Sequence, residues 1–153
     1  MQNKESSPSQ SRDYVLDSYA LLAYLEAEPG SKRVSQLLEM AENGRCHLYM
    51  CIVNLGEVLY IVERERGLSK APEILARIDE LPIEIVDVDR TLTLTAAHFK
   101  AGCPIAYADC FAAALALVIG IPLVTGNPEF RKVKSDCALR IEWLVNQEPE
   151  KTG

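Results

Sequence analysis

The sequence lacks the features of a secreted or membrane-spanning chain. Its 5 cysteines are scattered and include no C-x-x-C pair, so neither a disulfide framework nor a zinc site is predicted. No run reaches the roughly 20 continuous apolar residues that a membrane helix needs. No apolar stretch follows the basic residues near the start, as a signal peptide requires. We therefore expect a protein of the reducing cytoplasm with no membrane partner.

The composition is that of one ordinary globular domain. Hydrophobic residues make up 48% of the 153 residues and charged residues 25%, which excludes a disordered chain, a collagen repeat and a coiled coil. A chain of this length buries roughly two-thirds of its unfolded surface, so it needs no metal or disulfide to fold. We expect polar tails at residues 1–12 and 146–153 on either side of one domain, residues 13–145.

Between these tails, strand-like and helical segments alternate along the chain. The predicted strands are short apolar runs at residues 14–16, 46–52, 83–88, 122–125 and 139–143. Segments with a 3.6-residue apolar period lie between them, including 54–66, 107–119 and a helix that Ser31 is expected to cap. This alternation predicts an α/β fold, with a central parallel sheet of four to five strands and helices on both faces.

Four polar residues lie at positions where an α/β fold can bind ligands or carry catalytic groups. Ligands bind at the carboxyl ends of parallel strands; Asp17 ends the first predicted strand, and Asn127 follows the fourth. Glu57 and Asp109 lie among apolar neighbours near the N-termini of two predicted helices, where the helix dipole favours a carboxylate.

Each carboxylate also has a structural explanation. Asp17 is a suitable N-cap for the helix that follows, and Asp109 a first-turn charge that complements the helix dipole. Glu57 is harder to explain, because it lies on or beside an inward face and an unpaired buried carboxylate is costly. No Lys or Arg in the apolar runs is an obvious partner. Three carboxylates and an amide are oxygen ligands that suit Mg²⁺ or Mn²⁺.

Other catalytic signatures are absent from the sequence. It contains no G-x-x-x-x-G-K-[ST] loop and no G-x-G-x-x-G fingerprint, which argues against a nucleotide-binding site. It also contains no G-x-S-x-G elbow, which argues against a serine hydrolase.

Four segments resemble the PIN-domain nucleases, and most of all the VapC-type toxin ribonucleases of prokaryotic toxin–antitoxin pairs. They are Val15-Leu16-Asp17-Ser18, Asn54-Leu55-Gly56-Glu57-Val58, Tyr107-Ala108-Asp109-Cys110-Phe111 and Val124-Thr125-Gly126-Asn127-Pro128. Each motif alone is weak, but the four occur in the right order and at the right spacing over about residues 13–145.

The resemblance implies a Mg²⁺- or Mn²⁺-dependent endoribonuclease that cuts a structured RNA, such as a tRNA or a ribosomal RNA loop. Asp17, Glu57 and Asp109 match the acidic positions with which the family holds its metal. Such toxins usually form homodimers, and a small antitoxin protein keeps them inactive by covering the site.

The expected supporting residues are Ser18, Thr125 and Asn127. Thr125 matches a hydroxyl that supports the family's site. Asn127 stands where the family usually has a fourth acid, which brings the second metal site and the rate of cleavage into question. A degenerate PIN domain that binds RNA or protein without cutting is therefore the alternative.

Charge gives two opposite indications about a nucleic-acid partner. The net charge of −6 argues against RNA, but the local charge beside a site matters more for binding phosphates. Arg131, Lys132 and Lys134 follow the Asn127 loop, and a second basic cluster, Arg64, Arg66 and Lys70, ends the Glu57 helix. Each cluster is either an RNA-binding rim or an ordinary solvated surface.

Two further alternatives remain at the level of sequence. A phospho-acceptor receiver domain also has a parallel α/β fold, but it would need an acidic pair at the first strand, where only Asp17 stands.

The helices on either side of Gly30 carry more apolar side chains than one packed face requires: Leu22, Leu25, Leu37 and Leu38. They belong either to the core or to a docking surface for an antitoxin helix.

Overall fold

A five-stranded parallel sheet forms the centre of the computed structural model, which describes residues 12–145. The strands are β1 (Tyr14–Leu16), β2 (Leu48–Cys51), β3 (Ile83–Val86), β4 (Leu123–Thr125) and β5 (Ile141–Trp143). The helices are α1 (Ser18–Leu25), α2 (Ser31–Glu42), α3 (Ile52–Arg66), α4 (Lys70–Asp79), α5 (Arg90–Gly102) and α6 (Tyr107–Ile119), with a short 3₁₀ helix at Pro128–Lys132. The predicted tails, except Arg12, lie outside the described residues.

The strand order, β3-β2-β1-β4-β5, gives the sheet a switch point between β1 and β4. Strand β1 pairs with β2 through Tyr14 opposite Leu48, and with β4 through Val15 opposite Leu123. In open α/β sheets, ligands bind in the crevice beyond such a switch point. Receiver domains have the order 2-1-3-4-5, so the receiver alternative is wrong.

Apolar side chains of the strands point alternately into two cores. Tyr14 and Leu16 pack into the core beneath α1 to α4, whereas Val15 points into the core beneath α5 and α6. Strands buried on both faces are typical of parallel sheets. Residues 112–116 of α6 are fully buried and mostly alanine, which lets this helix pack closely on the sheet. The predicted α/β fold with helices on both faces is confirmed.

Helix α3 begins two residues earlier than the sequence predicted. Cys51 both ends β2 and caps α3, so Ile52, predicted as strand, is already helical. Glu57 consequently lies in the second turn, and α3 has no acidic residue in its first turn. The predicted placement of Glu57 near the N-terminus of its helix is therefore wrong. Asp109, in the first turn of α6, is where the sequence predicted.

The start of α2 also differs from the prediction. Gly30 is the N-cap residue, with a positive φ of 98°, and Ser31 is the first helical residue. Ser31 therefore does not cap this helix. A positive φ suits glycine, and a Cβ at Gly30 would lie only 3.0 Å from the Cβ of Leu144.

The leucines around Gly30 belong to the core. Leu37 and Leu38 are buried beneath α1 to α4, and Leu22 and Leu25 pack against them while partly buried. This arrangement supports the core explanation of these residues and removes the evidence for an antitoxin docking surface there.

No single helix among residues 12–145 is long and apolar enough to span a membrane. Helices α5 and α6 reach that length and hydropathy only as a pair, and they are bent 118° at the break between them.

Candidate active site

Asp17 connects β1, α1 and β4 at the carboxyl edge of the sheet. Its Oδ1 accepts a hydrogen bond from the backbone N–H of Ala20 at 2.9 Å, which caps α1. Its Oδ2 accepts a hydrogen bond from Thr125 Oγ1 at the end of β4. Both side chains are buried, Asp17 at 1% exposure. The N-cap explanation of Asp17 therefore holds, while the same carboxylate lies at the switch point.

A second hydrogen bond joins α1 to α3. Ser18 Oγ, at the start of α1, donates to Glu57 Oε1. Ser18 is buried and Glu57 is half-buried. The bond holds the Glu57 carboxylate towards the end of β1, so that residues 39 apart in sequence meet.

Asn127 faces Asp109 with its amide nitrogen rather than its oxygen. Asn127 Nδ2 donates to Asp109 Oδ2 at 3.3 Å, and Asn127 Oδ1 accepts the backbone N–H of Glu129 at 3.0 Å. The backbone N–H of Asn127 donates to Thr125 Oγ1 at 3.0 Å. The Glu129 N–H fixes which amide atom is the oxygen, because only the oxygen can accept that bond. Asn127 is thus placed as a donor to Asp109.

Burial raises the pKa values of the two aspartates. For Asp17 the pKa rises from 3.8 to about 7, mainly because burial removes the carboxylate from water. Hydrogen bonds from Thr125 and the Ala20 N–H oppose this rise, and the charges of Asp109 and Glu57 add to it.

For Asp109 the pKa rises to about 6, again mainly through burial, with the charges of Glu57 and Glu129 next. The hydrogen bond from Asn127 opposes the rise. No Lys or Arg is among the described groups that shift either aspartate's pKa. The two aspartates and Glu57 therefore form one electrostatically coupled acidic group.

The donor set fits a divalent cation by its chemistry. Carboxylate oxygens are the ligands that Mg²⁺ and Mn²⁺ prefer, and two of these carboxylates are buried without a countercharge. As the side chains stand, no three His, Cys, Asp or Glu residues within 12–145 are close enough together to hold one ion. Glu57 is bonded to Ser18 instead, and Asp109 to Asn127.

The three basic residues after Asn127 are all exposed and differ in the groups they contact. Lys132 pairs with Glu129 at 2.9 Å, and Arg131 is exposed on the same 3₁₀ helix. Lys134 lines a cavity of about 420 Å³ between α5 and residues 133–138. Lys132 and Lys134 both lie near Cys103: burial raises the pKa of its thiol, and the charges of the two lysines lower it.

The second basic cluster is engaged in contacts within the domain. Arg66 pairs with Glu26, and Lys70 with Glu73 at 3.0 Å. The Arg64 guanidinium lies 5.5 Å from the centre of the Tyr60 ring. These contacts favour the explanation of this cluster as an ordinary surface.

Asn54 is a site residue that the sequence analysis did not single out. It is fully buried in the first turn of α3, and its Nδ2 donates to the Ala108 carbonyl at 3.0 Å. Its Oδ1 has no hydrogen-bond partner, which costs about 1–3 kcal/mol. The sequence does contain an indication of this residue. Asn54 is a polar residue in an apolar run, and it lies three positions before Glu57 and so on the same helix face.

The buried polar side chains all belong to this region. Within residues 12–145 they are Asp17, Ser18, Asn54, Asp109 and Thr125. Their concentration at one corner of the sheet, where burial of polar groups is costly, marks that corner as the candidate active site.

A family comparison assigns the fold. The model of the PIN domain matches residues 14–135. The chain belongs to the PIN domain family. A comparison with curated proteins gives no match.

Solved structures of VapBC toxin–antitoxin systems share this PIN fold. The structure of VapBC2 from Rickettsia felis bound to a promoter DNA fragment matches with a TM-score of 0.67 and 21% identity, over 85% of this chain and 97% of that one. DNA-bound VapBC from Salmonella typhimurium matches with a TM-score of 0.67 and 18% identity, over 88% and 99%. VapC20 from Mycobacterium tuberculosis, described as a Sarcin-Ricin loop cleaving toxin, matches with a TM-score of 0.56 and 16% identity, over 80% and 91%. The predicted resemblance of the PIN domain to VapC toxins is confirmed at the level of the fold.

We predict that Gly126→Ala disturbs the site by displacing Tyr19. A Cβ at Gly126 would lie 2.3 Å from Tyr19 Cε1. Because Tyr19 is 36% exposed, its ring can move aside, and the loss of stability should be about 1 kcal/mol or less. Urea unfolding of Gly126→Ala, Tyr19→Ala and the double variant measures the coupling. The double variant should be more stable than the sum of the single losses implies; simple additivity would contradict the contact.

We also predict that the metal-free protein loses stability as pH rises. The pKa values of Asp17 and Asp109 are raised in the folded state, so their stabilising contribution is complete below about pH 4. It is lost as pH passes through about 6 to 7. Urea unfolding in EDTA should give roughly 2–4 kcal/mol less stability at pH 8 than at pH 5.

Asp109→Asn is the check on this pH dependence. It removes one titrating carboxylate, so the loss between pH 5 and pH 8 should be smaller than in the parent. An unchanged loss in Asp109→Asn would show that other groups cause it.

Proposed function

We propose that this PIN domain is a Mg²⁺- or Mn²⁺-dependent endoribonuclease and the toxin of a toxin–antitoxin pair. The observation that carries the proposal is the pair of buried aspartates, Asp17 and Asp109. Their pKa values are raised by burial and by neighbouring acids, and no cation lies among the described groups that shift them. A divalent cation would supply the missing countercharge at the sheet's ligand-binding edge.

Asp17, Glu57 and Asp109 would hold the cation, and each has a neighbour that orients it. Thr125 donates to Asp17, and Ser18 donates to Glu57. When bound, such a cation lowers the pKa of an attacking water and neutralises charge on the phosphodiester.

Asn127 has a separate role in this proposal. By donating to Asp109, it lowers that residue's pKa and so favours the ionised form that binds a cation. It stands where PIN nucleases usually have a fourth acid, so a second cation would be held with one negative charge fewer.

Relatives in fold support the choice of substrate and partner. VapC20 is described as a toxin that cleaves the Sarcin-Ricin loop, and other neighbours are VapBC toxin–antitoxin structures. We accordingly propose a structured RNA of the tRNA or rRNA class as substrate, a small antitoxin protein as inhibitor, and a cytoplasmic homodimer as the working form. Arg131 and Lys132, on the 3₁₀ helix that begins after Asn127, are the proposed phosphate contacts.

One set of observations favours a second candidate, a PIN domain that binds RNA or protein without cutting it. Asn127 faces Asp109 with its nitrogen, and Glu129 is paired with Lys132. Neither side chain supplies a fourth acidic ligand in this arrangement. The two candidates differ in whether purified protein produces new RNA ends.

We predict that Asp109→Asn abolishes RNA cleavage. The change keeps the size of the side chain but removes its charge, and a lost electrostatic group at a reacting centre costs about 10²-fold or more in rate. Purified protein is incubated with total cellular RNA with Mg²⁺, Mn²⁺ or EDTA, and new RNA ends are mapped.

The matched control is Asp89→Asn. Asp89, like Asp109, is an aspartate at the start of a helix; it accepts from the Leu92 N–H at 2.8 Å as the N-cap of α5 and is exposed. Its variant should cut like the parent. Cleavage that survives EDTA, or an Asp109→Asn variant that cuts at the parental rate, would refute the nuclease proposal.

We predict that Asn127→Asp lowers the Mg²⁺ concentration needed for half-maximal cleavage. The added carboxylate attracts a divalent ion by several kcal/mol at an effective dielectric of about 20, before desolvation is subtracted. Glu129→Gln is the comparison: it removes the exposed pair with Lys132 and a negative charge that acts on Asp109, so it should not lower the Mg²⁺ requirement. If Asn127→Asp has no effect and Glu129→Gln abolishes cleavage, Glu129 is the ligand and the role given to Asn127 is wrong.

A further inference from the structure

We propose that Asn54 is a positioning residue of the cation site, which sets the spacing between the Glu57 and Asp109 carboxylates. This inference rests on the proposed function, because it assumes that the two carboxylates bind a common divalent cation. It assigns a role to a side chain that belongs neither to the three motif acids and Asn127 nor to their hydroxyl partners.

The geometry connects Asn54 to both carboxylates. Asn54 and Glu57 lie three residues apart on α3 and so share a helix face. Asn54 Nδ2 donates to the carbonyl of Ala108, the residue before Asp109, at 3.0 Å. One hydrogen bond thus joins α3 to the first turn of α6 at the level of the two acids.

Stability does not explain this asparagine. The Ala108 carbonyl lies inside α6, where the helix itself bonds it to the N–H four residues later, so it does not need Asn54. The other end of the amide, Asn54 Oδ1, is buried without a partner. A leucine has the same branching, would avoid that unpaired oxygen and would fill the space between α3 and α6 with bulkier apolar groups.

The neighbours of Asn54 indicate why a polar side chain is buried at this position despite its cost in stability. The other buried polar side chains of residues 12–145 are Asp17, Ser18, Asp109 and Thr125; each bonds with, or is, one of the proposed cation ligands. Asn54 differs from these residues only because its hydrogen bond goes to the backbone of α6 and not to a proposed ligand. A directional hydrogen bond constrains the offset between two packed helices in addition to their apolar contacts.

The test separates cation binding from both stability and cleavage. Asn54→Leu and Asn54→Ala are prepared in the full chain, Mn²⁺ binding is measured by calorimetry without RNA, and unfolding is followed in urea with EDTA. Asn54→Leu should still fold, because it replaces the unpaired oxygen with apolar groups, yet bind Mn²⁺ about 10-fold more weakly, the lower end of the loss caused by removing a direct outer partner of a ligand. Asn54→Ala should lose a similar factor in affinity.

Val62→Ala is the matched control. Val62 is buried on the same helix two turns further on, so its truncation should lower stability while Mn²⁺ affinity stays at the parental value. Asn54→Leu with parental Mn²⁺ affinity would overturn the inference, and so would an Asn54→Leu chain that fails to fold.

The experiment also distinguishes this inference from the proposed function. If the parent binds Mn²⁺ through an Asn54-dependent site but leaves RNA intact, the positioning role stands and the nuclease proposal fails. If the parent cuts RNA with Mn²⁺ and Asn54→Leu binds the ion equally well, only the positioning role fails. A parent that binds no Mn²⁺ overturns both.

Discussion

The hydrogen bond between Thr125 and Asp17 joins the two strands on which the candidate site depends. It spans β1 and β4, the neighbours at which the strand order reverses. The other oxygen of Asp17 caps α1, so one buried carboxylate fixes the ends of two strands and the start of a helix. Since burial raises its pKa to about 7, this junction is fully satisfied only when a proton or a cation balances the charge.

The remaining polar groups extend this junction to the other helices. Ser18 brings in Glu57 from α3, Asn127 contacts Asp109 on α6, and Asn54 joins α3 to α6. Elsewhere among the described residues the core is apolar. Buried polar side chains that lower the stability of the fold are expected at functional sites, because the arrangement of the site requires them. That conflict, together with the PIN family and the VapC-like fold, supports the proposed metal-dependent cleavage of RNA.

The sequence predicted the kinds of elements well and their ends less well. Apolar residues located all five strands of the described sheet. The central strand β1 is a continuous, fully buried apolar run, whereas the edge strands β3 and β5 each contain a glutamate and are only partly buried. Asp17 and Asn127 were expected together because parallel strands bring their carboxyl ends to one edge. The start of α3 at Ile52 was missed because β2 leads into the helix without a turn signal, and an apolar β-branched residue suits both structures.

The amino-acid sequence by itself determined the α/β class, the order of elements and the acidic residues near the sheet edge. Only the tertiary structure decided how these residues meet. It turned the nitrogen of Asn127 towards Asp109 and brought Asn54 against Ala108. The period of the apolar residues shows which face of a helix or strand is buried, because residues close together along the chain form that face. Contacts between α3 and α6 depend on how two helices pack against the sheet, and no local pattern encodes that packing.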